Sequence, residues 1–279
     1  MSAKQHDPNS APGVAAFQAL PAYLGFQDTD LTEPYARFLC AEDAARAARI
    51  ADQHRTPLAP DIFPAFADLA AELSRPGYGA HETGWSVRAD GVCVVAALTP
   101  MPGVNAAMWD WWFSWHGAAS SRYKIWSPAA HLVACWKDGD GDRSGLKSYI
   151  GRTSLIKEMI GSTRLKGAIR FVDPASIGFA PDAFDGTVIC GRAGEVDLPV
   201  EHTWLIHQLR NTDDGCEMRS RFYLGQDLMI NGMPIPARPP GQSRPGPNPV
   251  ELLEHCALEM HHLAGFLPEL YAEFGPSAV

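Results

Sequence analysis

The stretch NPVELLEHCALEMHHLAGFLPELY, residues 248–271, reads as one long amphipathic helix, and it dictates what the rest of the chain must supply. At the α-helical repeat, Leu252, Leu253, Cys256, Met260, Leu263, Leu267 and Leu270 share one arc, with Phe266 beside it. Glu259 falls inside that arc, and His255 and His262 lie at its edge. An apolar stripe this broad needs a surface to cover it, and a carboxylate within it is costly unless something pairs with it. His255 and Glu259 are four apart, so both lie over one turn and could grip one ion. The start of the helix is well marked by Asn248 as cap, Pro249 at the first helical position and Glu251 three after the cap. A lone His/Glu pair at a helix edge is more often an accident than a ligand set, so its meaning depends on the remaining chain.

Upstream, EPYARFLCAEDAARAARIADQ and PDIFPAFADLAAELSR have helical apolar spacing. ETGWSVRADGVCVVAALTP is expected as a hairpin turning at Asp90-Gly91. In MWDWWFSWHG, Trp109, Trp112, Phe113 and His116 share a helical face that is expected in the core. From Ser127 the pattern turns to β: HLVACWKD, GAIRFVDP and GTVICGRAG are short strands, and EHTWLIHQLRN with CEMRSRFYLG forms a hairpin across TDDG. The Pro-rich GMPIPARPPGQSRPGPNP then delivers the chain to the last helix as a loop. Helices first, an antiparallel sheet next and one long helix last predict an α+β domain in which the sheet curls around that helix and encloses a pocket.

Polar residues facing inward from the strands would complete a site with the helix. His131 is expected to alternate with Val133 and Cys135 on one strand face, and His207 to share a face with Thr203, Leu205 and Leu209. Glu158 lies in the short apolar segment LIKEMIG. Two histidines and two glutamates would make a nitrogen and oxygen set suited to zinc.

Composition narrows the partners. With 279 residues, 46% hydrophobic and 20% charged, the chain is an ordinary globular protein, expected as a disordered segment over 1–15 and one domain over 16–279. Its 23 basic and 32 acidic residues give a formal charge of −9 with no basic cluster, which argues against nucleic acid. The start MSAKQHDPNSAPG lacks an apolar signal region, and no run approaches the roughly 18 apolar residues of a membrane span, so a soluble, cytoplasmic protein is expected. Cys40, Cys93, Cys135, Cys190, Cys216 and Cys256 are scattered without a CxxC, as reduced core cysteines are.

The ordered blocks WDWWFSWHG, SRYKIWSPAAHL, IRFVDPASIGF, EMRSRFYLG and HCALE resemble the 2,4-diacetylphloroglucinol hydrolase family, which also holds phloretin hydrolases, over roughly residues 20 to 272. The resemblance implies a helix-grip fold of the START/Bet v 1-like kind. It also implies a zinc-dependent hydrolysis of the carbon–carbon bond between a polyphenol ring and its acyl group, with an acylated polyphenol as the small-molecule partner. A homodimer is the candidate assembly, which the residues themselves leave open. By position it makes His131, Glu158, His255 and Glu259 the Zn2+ ligands. It makes Tyr123 a contact to a ring hydroxyl, His207 a catalytic histidine, and Tyr223, or Phe222 if the register slips, a second tyrosine position. The chain has Ala134 where the family pattern has an active-site asparagine, which leaves the substrate open. Two other classes compete: a helix-grip carrier of hydrophobic polyphenols, and a metal-dependent esterase or β-diketone hydrolase.

Overall fold

The computed structural model describes residues 27–143, 145–180, 183–235 and 246–276. The segment expected to be disordered, 1–15, and most of the Pro-rich loop lie outside them. Nine strands among the described residues form one antiparallel sheet: β1 (Gly84–Val87), β2 (Cys93–Pro102), β3 (His131–Trp136), β4 (Thr153–Ile160), β5 (Thr163–Val172), β6 (Gly186–Glu195), β7 (Val200–Thr212), β8 (Gly215–Ile230) and β9 (Met233–Pro234). Their order is β1-β2-β8-β7-β6-β5-β4-β3, with the two-residue β9 pairing β8. The helices are α1 (Ala44–Gln53), α2 (Leu69–Leu73), α3 (Ala106–Trp115), α4 (Ser120–Trp126), α5 (Pro249–Ala264) and α6 (Leu267–Phe274).

The sheet is an antiparallel meander from β3 to β8, closed back on the first hairpin by the pairing of β8 with β2. α5 packs on β1, β2 and also β4. In strand order β2 and β4 are five steps apart, which on a flat sheet is about 24 Å, twice the roughly 10–12 Å diameter of a helix. One helix can touch both only because the sheet curls around it. This is the expected helix grip.

Both faces of the sheet are covered, and the strands alternate accordingly. On β2, Val95 and Ala97 join the concave core with Trp109, Trp112, Leu253, Met260 and Leu263, while Val94 and Ala96 join a second core on the opposite face with Phe63, Leu69 and Leu73. The Asp90-Gly91 turn and the two-residue Asp213-Asp214 connection between β7 and β8 lie where the sequence placed them.

Three expectations change. The last helix is two: α5 stops at Ala264, Gly265 and Phe266 make the break, and Pro268, which lacks the N–H of a continuing helix, sits in the first turn of α6. Of the stretch 33–53, only Ala44–Gln53 is α-helix, started by the Asp43 carboxylate accepting from the Arg46 amide. Of 60–75, Pro64 and the extended Ala65 leave a 3-10 turn at Phe66–Asp68 and the short α2.

Candidate metal centre and its cavity

β3 begins at His131, whose amide bonds the Ser127 carbonyl at 2.8 Å. The Glu42 carboxylate ties this turn down by accepting from Ser127 Oγ and the Ala129 amide. His131 pairs with Glu158 across β3 and β4, and the register then shifts, with Val133 opposite Lys157 and Leu132 left over. This β-bulge overturns the expected alternation. Leu132 and Val133 both belong to a small cluster with Leu155, whereas Ala134 and Trp136 lie in the concave core. A bulge of this kind re-aims a side chain at a strand end, and here it turns His131 inward independently of the strand behind it.

Glu158 sits in β4, where Ser154, Ile156 and Ile160 also line the cavity. α5 brings His255 and Glu259 from above. Its start is held as expected by Asn248, whose side chain accepts from the Val250 and Glu251 amides. The ligating atoms of His131, Glu158 and His255 lie within 4.8 Å of one another. Glu259 Oε2 is 3.4 Å from His131 Nε2 and 3.8 Å from His255 Nε2, and Glu158 Oε2 is 3.6 Å from His131 Nε2. These spacings are wide for hydrogen bonds. They are close to the separation of about 3.4 Å that donors take around a tetrahedral ion with bonds of about 2.1 Å.

Burial makes the group unstable as a set of bare charges. It lowers His131 well below the ordinary histidine range, helped by His255, and holds His255 at about 4. It raises Glu158 to about 7 against the bond from Tyr123, and raises Glu259 well above the carboxylate range, with Glu158 adding to the effect. Among the described residues, the ion-pair partners of both carboxylates are imidazoles and not Lys or Arg. Two neutral imidazoles and two carboxylates without a cation are a donor set that a divalent metal ion would complete.

The surroundings orient this set. His131 Nδ1 donates to the Tyr123 carbonyl at 3.1 Å, which leaves Nε2 with its lone pair toward the other three residues. The Tyr123 ring stacks on the His131 ring with centroids 3.7 Å apart, and its hydroxyl donates to Glu158 Oε2. The short α4 places Tyr123 there, anchored by the buried pair of Lys124 and Asp30 at 2.7 Å.

The cavity beyond is mostly apolar, lined by Phe113, Ile156, Phe171, Leu205, Phe222 and Leu252, with Tyr123, Glu158, His255 and Glu259 at one end. His207 also lines it, set between Phe113 and Phe222, with Nδ1 bonded to Ser220 Oγ at 2.8 Å and burial lowering it to about 3. It is therefore neutral, and Nε2 is the nitrogen left for the cavity. His116, expected in the core, is buried and reaches the cavity wall as well, its Nδ1 bonded to the Trp112 carbonyl. Tyr223 is not brought together with these residues. It lies on the other sheet face, its hydroxyl donating to the Pro64 carbonyl, because the β8 register points Phe222 inward. The position expected for a second tyrosine is thus filled by a phenyl ring. His202 and Glu195, which the sequence reading did not single out, line the cavity too.

A family model for the DAPG hydrolase PhiG domain matches residues 62–272. The chain is 29% identical to 2,4-diacetylphloroglucinol hydrolase of Pseudomonas protegens over 283 residues, covering 92% of this chain and 89% of that protein. It is 32% identical to phloretin hydrolase of Eubacterium ramulus over 244 residues, covering 81% and 85%. Among solved structures, norcoclaurine synthase of Thalictrum flavum aligns with a TM-score of 0.34 and 14% identity over 66% of this chain and 96% of that one. With a family match spanning most of the chain and the four-residue group inside it, the chain belongs to the DAPG hydrolase family.

Proposed function

We propose that the protein is a zinc-dependent hydrolase that cleaves the carbon–carbon bond between a phloroglucinol-type ring and its acyl group, giving a phenol and a carboxylic acid. The observation that carries this reading is the buried group of His131, Glu158 and His255, with Glu259 set against both histidines, opening on an apolar cavity with Tyr123 and His207 on its wall. His131, Glu158, His255 and Glu259 would hold the ion. Zinc supplies a Lewis acid for a carbonyl and a water of lowered pKa.

An aryl ketone resists hydrolysis because a ring carbon is a poor leaving group. If the ring takes its keto form, with a proton on the acyl-bearing carbon, the bond becomes that of a β-diketone. Water then adds to the side-chain carbonyl and the ring leaves as a stabilised phenolate. Tyr123 has its proton committed to Glu158, so its oxygen is an acceptor and selects a ring hydroxyl that donates. His207 exchanges the ring proton at Nε2, and negative charge developing beside it would raise its proton affinity from the low value that burial imposes. Phe113, Phe171 and Phe222 hold the ring and exclude bulk water. A carrier would need only the apolar part of this cavity, and two buried carboxylates would burden it.

The cysteines described in the structure are free, and no helix of the described residues is long and apolar enough to cross a membrane. Free cysteines suit a reducing compartment, and the cytoplasm is proposed on that ground.

Product analysis tests the reading. An acylphloroglucinol should yield the free phenol and the carboxylic acid, whereas the acetophenone without ring hydroxyls should not react. Equal turnover of the unhydroxylated ketone, or ester hydrolysis without any cleavage of acylphloroglucinols, would refute it.

A further inference from the structure

The family model begins at residue 62, and the stretch 27–43 ahead of it lies against the segment that carries both Tyr123 and His131. It contributes two 3-10 turns, Asp30–Thr32 and Ala36–Phe38, and ends at the cap of α1. Asp30 is buried against Lys124 at 2.7 Å, and Tyr35 Oη lies 2.8 Å from Ser121 Oγ, so this arm grips α4 at two positions on one face of the helix. Glu42 takes the far end of α4: Oε1 accepts from Ser127 Oγ at 2.6 Å and Oε2 from the Ala129 amide at 2.9 Å. On its other side the arm is fastened to the end of the chain, with Phe38 against Phe266 and Arg37 bonded to Glu269 and Glu273 of α6.

The turn that Glu42 ties down is where the backbone of the metal centre is set. The Ser127 carbonyl accepts from the His131 amide at 2.8 Å, and the Ala130 carbonyl accepts from the Met159 amide, next to Glu158, at 2.9 Å. One turn thus fixes the start of β3 and its register on β4 at both strand-borne ligands. When the arm lifts, Ser127 and Ala129 lose their bonds to a side chain that comes from 85 residues away or more, and the constraint on where His131 begins goes with them. The arm reaches both supports of the centre: the turn through Glu42, and through Asp30 and Tyr35 the helix whose Tyr123 orients His131 and Glu158.

We propose that Glu42 is a positioning residue for the metal centre and that the arm carrying it is a clasp, its docking and the binding of the ion each favouring the other. This rests on the reading above only in taking zinc as the ion. The coupling follows from linkage: an ion that binds more tightly when its ligands are held in place must, by the same factor, hold the arm in place. An arm that merely covered apolar surface would dock equally well with and without the ion, because an ion with no differential affinity for the two states shifts nothing.

Limited trypsin digestion measures the arm directly. The Arg37 side chain is about half exposed but its neighbour Phe38 is buried, so a cut between them requires the arm to lift, and its rate follows how often the arm does so. Saturating zinc should slow this cut in metal-free wild-type protein by at least about fivefold, relative to an unstructured peptide digested in the same tube. In Glu42→Gln, zinc should bind at least about fivefold more weakly by calorimetry and should protect Arg37 by less than about twofold. The fragment beginning at Phe38 reports a lifted arm, whereas loss to small peptides reports unfolding of the whole chain, so a variant that is only unstable is told apart. The wild-type comparison decides the matter even if Glu42→Gln does not fold. A cut at Arg37 that zinc does not slow, wild-type affinity in Glu42→Gln, or digestion that never yields the fragment overturns the clasp and leaves the hydrolase intact, since none of these readouts needs turnover. A wild-type protein that binds no zinc overturns the metal reading and the clasp with it.

Discussion

Tyr123 performs two tasks at one residue. Its carbonyl fixes the tautomer of His131 and its hydroxyl fixes the rotamer of Glu158, so two of the four candidate ligands are oriented by a single side chain and its backbone. Tyr123→Phe should keep the carbonyl bond and lose the other, leaving a buried carboxylate oxygen without its donor at a cost of about 1–3 kcal/mol. We expect kcat/KM to fall by about 10-fold to 100-fold, the loss that follows removal of a residue supporting a metal ligand, and metal titration of the variant to show weaker binding. Unchanged affinity and activity would remove Tyr123 from the site. His207 should behave differently. It bonds Ser220 and no candidate ligand, so His207→Ala should retain its metal while kcat falls by about 10²-fold or more. Loss of the metal in that variant would place His207 among the ligands instead.

The elements explain which of these residues could be read from the chain and which could not. His255 and Glu259 were legible because helical periodicity depends only on spacing, and one turn of α5 carries both. Glu158 was recognised by resemblance, since β4 is buried on both faces and so shows no alternation that would mark an inward residue. The face of His131 was misread because a bulge leaves no trace in an alternating pattern: HLVACW looks regular, and only pairing with β4 reveals the extra Leu132. Tyr223 against Phe222 is the same ambiguity of one residue, decided by the register of β8 on β2. Glu195 and His202, 3.5 Å apart on the cavity wall, meet only once β6 and β7 are aligned. Gly161, in the β4–β5 turn, has φ of +57°, and a Cβ there would meet only the end of the Glu251 side chain, which can swing aside. Gly161→Val forces a β-branched residue into the left-handed region and should lower stability by about 1–2 kcal/mol. Thermal unfolding measures this, and a melting temperature equal to wild type would mean that the turn relaxes out of that conformation.

At the scale of the whole molecule, the sheet is fastened on its outer face by charge as well as by packing. Glu82 bridges Arg219 through Oε1 at 2.8 Å and also binds Arg221, both from β8 and both buried. Burial alone would push the Glu82 carboxyl up, but the two guanidinium groups outweigh it and hold it at about 2, below its ordinary 4.5. A depressed carboxylate stabilises the fold above its unfolded value and loses that contribution as pH falls toward the folded one. Stability should therefore decline by on the order of 2–3 kcal/mol between about pH 4.5 and pH 2 from this group. Glu82→Gln should be less stable near neutrality, with two buried arginines left short of charge, and should lack this part of the acid decline. An unchanged pH profile would place the acid sensitivity elsewhere. The curled sheet, the gripped helix and the bulge at Leu132 converge on the four-residue centre, and the account depends on that centre holding a metal that the cleavage requires. Elemental analysis of purified, active protein, combined with acylphloroglucinol cleavage before and after chelation, measures this directly. The prediction is about one zinc per chain, loss of phenol and acid formation when the metal is removed, and recovery when zinc is returned. Full carbon–carbon cleavage by protein free of transition metal would contradict it.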